Sequence, residues 1–415
     1  MDIKIYQLVK LILSNVKNSE EKKSNWASFK NTNAVRIGEL LSISSEEIKN
    51  PGSLINVDFD DDNSLMIMNY TSQAHNTLHN HDCGWSEVLK QIRGLVFDIS
   101  NVEDPVLISR SFEKFFNLGE LKENTYESLC EKYGEYDLYE ATEKADGHMI
   151  QYFVKEEKLY ATTRGKFKTI SAEDAYRFMS IDTFNHLKEF LNNDLMSIVV
   201  ELVTNKTRVH VDYKGKESIY LLALYNSKGE KYESEVVSNV LDEFPEVFSK
   251  PVKKLFSLSS ITKEINKRSV KNNEGWVINF NGELIKFKYI DYIGKMVEGK
   301  LSFKYLMSCI INDRLDKMLF TLPEELRKMS YEMVKKLQKT TAESILEKDH
   351  KILYSLYSDI EGGKQYFRTV CRKYFKSQTA ESWILWVTAY YLETKTQKNM
   401  IKLLLRSQKL NQHLT

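Results

Sequence analysis

The chain has 415 residues, of which 42 % are apolar and 28 % charged, a balance that suits a globular protein with a sizeable core and leaves room for two domains. Five prolines are too few for long disordered linkers, and the net charge of +1 shows that any basic character is local. Four cysteines (Cys83, Cys130, Cys309 and Cys371) form no CxxC pair, which argues against a disulfide framework and fits a reducing compartment.

The opening MDIKIYQLVKLILSNVKN carries apolar residues at helical spacing. It lacks the uninterrupted apolar core of a signal peptide, and no run in the chain is long enough to span a bilayer. The expected location is therefore the cytosol or nucleus, not the secretory route. Residues 1–57 read as a helical lead-in. From about Asp58 to Tyr292 short β-rich runs dominate: RGLVFDI, HMIQYFV, KLYATTR, SIVVELV, RVHVDY, SIYLLALY, GWVINF and ELIKFKYI. Turn residues such as Asn226-Ser-Lys-Gly and Asn281-Gly282 separate them, as in hairpins of antiparallel sheets. Among them SAEDAYRFMSIDTFNHLKEFL predicts one amphipathic helix with Ser171 as its N-cap.

After roughly Gly294 the texture turns helical. Leu322-Pro323-Glu324-Glu325 looks like a helix start, Leu326, Met329, Met333 and Leu337 follow at helical spacing, and ESWILWVTAYYLE continues the pattern. The fold expected is α+β: an antiparallel-sheet domain over residues 1–295, followed by an all-helical C-terminal domain over 296–415. From Glu361 onward ten Lys or Arg face three Asp or Glu. That basic end is compatible with phosphate backbones, and also with the solvated face of terminal helices.

The chemistry centres on Glu143-Lys144-Ala145-Asp146-Gly147. A Lys-x-Asp-Gly element suits nucleotidyl transfer, in which a neutral amine attacks the α-phosphate of ATP. The lysine pKa is then expected to fall below its solution value of about 10.4. Gly147 allows close backbone approach. Four residues prove little alone, but the neighbours stand in the order such a transferase needs. Arg93-Gly94-Leu95-Val96-Phe97 precedes the lysine. Glu201 follows in a β run, then Glu274-Gly275-Trp276-Val277, then Leu284-Ile285-Lys286-Phe287-Lys288. Lys286 and Lys288 are two apart in a strand and share a face. Two buried ammonium groups need an anion, and a nucleotide phosphate is a natural one; an edge strand carrying lysines against aggregation is the plainer alternative.

Over about residues 60–320 the chain resembles the covalent nucleotidyltransferases, and among them the phage-type RNA ligase 1 family. The resemblance extends to LMIMNYTS, which nominates Tyr70 against the nucleotide, and to SRSFEKFFNLGE, which nominates Lys114 and Phe116. It implies an ATP-grasp-like ligase fold for the nucleotidyltransferase domain. Lys144 would be adenylylated, with Lys286 and Lys288 catalytic beside it. Arg93, Asp146, Gly147, Glu274 and Tyr292 would join the nucleotide site, and Glu201 would hold the ribose. Arg164 stands where the family often has lysine, exchanging a point charge for a planar fork. A metal-binding acid beyond the last strand would fall at Asp313.

The implied activity is ATP-dependent joining of RNA 5′-phosphate and 3′-hydroxyl ends through lysyl-AMP and RNA-adenylate, with magnesium (or manganese in its place). Broken tRNA-like stem-loops would be the RNA, and separate kinase and phosphatase partners would heal the ends. DNA ligases and mRNA guanylyltransferases share the Lys-x-Asp-Gly element, and a non-catalytic RNA-binding relative is the alternative of another class. His75, His79, His81 and Cys83 stand at metal-like spacing, but no second ligand pair accompanies them, so a polar loop is the preferred reading.

Overall fold

A computed structural model describes residues 2–44, 48–78, 84–267 and 272–293. The expected helical domain over 296–415 and Asp313 lie outside the described residues, as do His79, His81 and Cys83. Among the described residues there are fourteen strands. In chain order they are β1 (Ile55–Phe59), β2 (Leu65–Tyr70), β3 (Arg93–Asp98), β4 (Val106–Ser109), β5 (Phe116–Asn117), β6 (Tyr139–Lys144) and β7 (His148–Lys155). There follow β8 (Lys158–Thr163), β9 (Ser197–Val203), β10 (Ser218–Tyr225), β11 (Phe248–Ser249), β12 (Lys253–Phe256), β13 (Gly275–Phe280) and β14 (Glu283–Lys288).

They form three sheets, ordered β1-β2-β3-β4, β11-β10-β9-β7-β8 and β12-β6-β13-β14-β5. All pairings are antiparallel except β10 with β11 and β14 with β5. The mixed, largely antiparallel architecture is the one the alternating runs predict.

The layers follow from the period of each segment. In the first helix, Ile3–Leu13, Ile5, Leu8, Val9, Ile12 and Leu13 make one buried stripe, and Asp2 caps its first turn through Lys4 N (2.9 Å). That stripe packs on the first sheet through Met66, Met68, Leu95 and Phe97. The alternate residues Leu65, Ile67 and Val96 point the other way, onto Phe153 of β7. LMIMNY is thus nearly apolar throughout because it is covered on both sides. The second sheet buries Ile150, Tyr152, Val200, Leu202 and Ile219 together with Phe184, Leu187, Val240 and Leu241 of the helices Ile181–Phe190 and Ser234–Glu243.

Two expectations are corrected. RVHVDY is not a strand: the amides of His210 and Val211 both donate to the Asp146 carboxylate (2.6 and 2.7 Å), so a side chain takes the hydrogen bonds a ladder would need. The helix expected from Ser171 is two helices, Ile170–Ala175 and Ile181–Phe190, capped by Thr169 and Ser180. Ser180 bonds Thr183 N (3.0 Å) and starts a new helix inside the apolar pattern. Ser171 instead meets His148 Nδ1 (2.6 Å). The Asn281-Gly282 hairpin is as expected, with φ of 51° and 104° between the paired Phe280 and Glu283.

Candidate active site

The third sheet sets the geometry. Gly275 of β13 lies opposite Lys144 of β6 on one side and Lys288 of β14 on the other. Its φ is 156°, and a Cβ there would run into the Phe287 carbonyl. Glu274, one residue earlier, reaches both lysines: its Oε2 is 2.8 Å from Lys144 Nζ and its Oε1 is 3.0 Å from Lys288 Nζ. The Glu274 side chain is 4 % exposed. One buried carboxylate thereby joins two lysines 144 positions apart in sequence.

Lys144 ends β6, and His148 opens β7 in the second sheet, so the turn between them crosses from sheet to sheet. Asp146 fixes that crossing. Its Oδ2 accepts the His210 and Val211 amides, its Oδ1 accepts the Tyr292 hydroxyl (2.7 Å), and its own amide donates to the Tyr213 hydroxyl (2.8 Å). A Cβ at Gly147 would fall against the Leu202 carbonyl oxygen; only glycine lets the turn lie on β9. From there the Gly147 amide donates to Glu201 Oε1 (3.2 Å).

Acids govern the electrostatics. Burial opposes the charge on Lys144, but Glu274, then Glu201 and Asp146, outweigh it and raise its pKa. This corrects the expectation of a depressed value: the ammonium sits among carboxylates, not cations. Burial, aided by Glu274, raises Glu201 to about 7, against the pull of Lys144, the Gly147 amide and Arg93.

Beside Lys144 lies a cavity of about 280 Å³, lined by Arg93, Phe115, Met149, Glu201 and Lys286 among others. Arg93 is aimed by the Phe112 carbonyl (3.3 Å), and Lys286 Nζ lies 4.6 Å from the centre of the Phe115 ring. Lys144, Arg93, Glu201 and Lys286 therefore meet at one chamber, with Glu274 and Lys288 directly behind Lys144.

Tyr70 and Arg164 adjoin the chamber through Arg93, whose charge burial and Arg164 oppose and the Tyr70 hydroxyl supports. Arg164 Nη1 donates to the Tyr70 hydroxyl (3.0 Å) and its guanidinium covers the Tyr70 ring at 5.0 Å. Tyr70 in turn packs edge-on against His75 and Trp85. Lys114 Nζ is over the Phe116 ring (4.2 Å) and 3.9 Å from Glu120, and Phe116 packs on Trp85 (5.5 Å). These two form a buried block beneath the segment that carries Phe115. Tyr292 meets the turn through Asp146, with Lys288 Nζ 5.5 Å from its ring.

A family model for RNA ligase matches residues 91–303, more than half of the chain and all of the elements that build this chamber. The chain belongs to the RNA ligase family. Its type is that of the phage enzymes. No curated protein matches the chain. Among solved structures, a mutant of the Naegleria gruberi RNA ligase with ATP and manganese matches at 16 % identity and a TM-score of 0.33, over 40 % of this chain and 54 % of that one. Two forms of an archaeal ATP-dependent RNA ligase match at 17 % and 13 % identity, with TM-scores of 0.38 and 0.42. They cover 60 % and 74 % of this chain and 70 % and 82 % of theirs. The chain spans little more than half the length of the Naegleria protein.

In this RNA ligase family member no group of three or more His, Cys, Asp or Glu side chains is placed to hold a metal among the described residues. Magnesium is commonly held by one or two carboxylates plus substrate phosphates. Glu201 and Glu274 stand beside Lys144, but both Glu274 oxygens are taken by lysine ammoniums, so a magnesium here would be held mainly by the phosphates. Phe115, Met149 and Lys231 are among the chamber residues that the sequence does not reveal. Phe115 is brought in by the parallel pairing of β5 with β14, and Lys231 by its bridge to Tyr225. Neither contact leaves a periodicity to read.

Proposed function

We propose that the protein is an ATP-dependent RNA ligase whose nucleophile is Lys144. The reading rests on one observation: Lys144 borders a chamber shared by Arg93, Glu201 and Lys286 while Glu274 holds its ammonium at 2.8 Å. In the first step Lys144 Nζ, its proton passed to Glu274, bonds to the α-phosphorus of ATP and the bond to pyrophosphate breaks. Lys286, beside the chamber, and Arg93 balance charge on the α-phosphate. In the second step an oxygen of an RNA 5′-phosphate bonds to that phosphorus, and the P–N bond breaks with its electron pair returning to Lys144. In the third a 3′-hydroxyl attacks the RNA phosphorus and AMP leaves. Glu201 accepts from the ribose hydroxyls. Magnesium, held by the substrate phosphates, would neutralise phosphate charge.

Asp146 and Tyr292 act at one remove, by holding the turn that presents Lys144. Residues 296–415 would form the helical domain that selects the RNA, a nicked tRNA-like stem-loop, with end-healing supplied by other proteins. The test is sealing of a 5′-phosphorylated stem-loop nicked in its loop, compared with nicked duplex RNA and DNA. Preferential sealing of the stem-loop is expected; preference for either duplex contradicts the substrate assignment.

A further inference from the structure

Beyond the Phe112–Phe116 segment the chamber adjoins a groove of about 800 Å³, within the range of about 300–1,000 Å³ that encloses a small-molecule-sized group. Phe112, Phe115, Lys231 and Leu284 line both spaces, so the two share a wall. Phe112 and Phe115 are half-buried, with ring centres 6.0 Å apart at 71°. Lys231 Nζ lies 5.3 Å from the Phe112 centroid.

The cations lining the groove differ in how they are neutralised. Lys90 pairs with Glu87 (2.7 Å) and Lys132 with Glu283 (2.6 Å). Arg110, Lys228 and Lys231 line it too, as do Glu113, Glu123 and Glu230. Neither Lys228 nor Lys231 is within ion-pair distance of a carboxylate among the described residues. Arg110 is held over the Tyr225 ring (5.4 Å), by the Gly229 carbonyl (3.0 Å) and by Glu113 (3.4 Å), yet its Nε is buried with no hydrogen-bond partner among the described residues.

We propose, building on the ligase reading, that this groove seats the 5′-phosphate-bearing end of the RNA, its bases packed on the Phe112–Phe115 wall and its phosphates on Lys228, Lys231 and Arg110. Aromatic wall plus cationic rim is the combination that binds single strands without reading sequence. The shared wall brings the terminal phosphate beside the chamber that holds Lys144. The 5′ end, not the 3′ end, is assigned because the phosphate is the group that cations at this junction recognise.

The test compares wild type, Lys228→Ala/Lys231→Ala and Phe115→Leu, with thermal melts to confirm folding. Fluorescence anisotropy reads binding of a 5′-phosphorylated and a 5′-hydroxyl oligoribonucleotide, and labelled ATP reads lysyl-AMP formation and AMP transfer separately. The double variant is expected to weaken the phosphorylated oligonucleotide about tenfold, and more than the hydroxyl one. Its salt slope should fall by about 1.4, at about 0.7 per single-strand contact. AMP transfer should fall at least tenfold more than lysyl-AMP formation, and Phe115→Leu should weaken both oligonucleotides. Equal loss of both steps, a loss confined to sealing of pre-adenylylated RNA, or unchanged binding overturns the assignment. If wild type forms no lysyl-AMP but the double variant still loses phosphate-dependent binding, the ligase reading fails and the groove stands.

Discussion

Lys144 and Asp146 stand two residues apart on one turn and meet opposite fates. Lys144 has a carboxylate partner at 2.8 Å and an open chamber beside it. Asp146 is 2 % exposed, and its carboxylate is taken up by two amides and a hydroxyl of the chain itself. A partner that is one side chain can be exchanged for a ligand; a set of backbone donors cannot, because each would be left buried and unpaired. One side of the turn is therefore built to change state and the other to stay fixed.

The fixed side carries the largest expected effect on stability. Asp146→Ala should destabilise the chain by about 3 kcal/mol, since it strands the His210 and Val211 amides, and chemical denaturation measures it. Lysyl-AMP formation should fall with it even in the folded fraction, because the turn loses its hold. A variant of near wild-type stability would erase the distinction between the two sides.

The next effect lies on the changeable side. Burial raises Glu201 to about 7 from its ordinary value of about 4.5, so between these pH values the folded chain keeps a proton that the unfolded chain releases. Its contribution to stability is full below about 4.5 and lost as pH rises through 7. Glu201→Gln should flatten that loss, about 1–3 kcal/mol by linkage, in denaturation curves taken at pH 4.5 to 8. A wild-type curve with no fall in that window would contradict the assignment.

A smaller change is expected from Glu274→Gln. Glu274 is the strongest of the groups that keep Lys144 protonated, so its removal should lower the lysine pKa. The pH profile of lysyl-AMP formation should then move toward acid by about one to two units, with a lower maximum because the proton acceptor is gone. A profile moved toward alkali would break the comparison.

How much of this was legible depends on what set each element. SIVVELV, GWVINF and ELIKFK announce themselves because burial of their alternate residues determines them, and the Lys286 and Lys288 spacing follows from that period. RVHVDY has the same look and fails, since Asp146, more than 60 positions away, takes its amides. A depressed lysine pKa follows from the chemistry of attack on phosphorus, whereas the acids around Lys144, Glu274 first among them, raise it. Lys114 and Phe116 read as site residues; Trp85 and Glu120 hold them at the groove beside the chamber, while their neighbour Phe115 faces the chamber itself. Such choices are made by long-range pairing, which no local window contains.

The most direct test is covalent labelling with ATP carrying a labelled α-phosphate, with GTP in parallel. The protein should acquire AMP from ATP alone, the Lys144→Ala variant should acquire none, and peptide mapping should place the label on Lys144. Labelling from GTP, or an undiminished label in Lys144→Ala, would contradict the account.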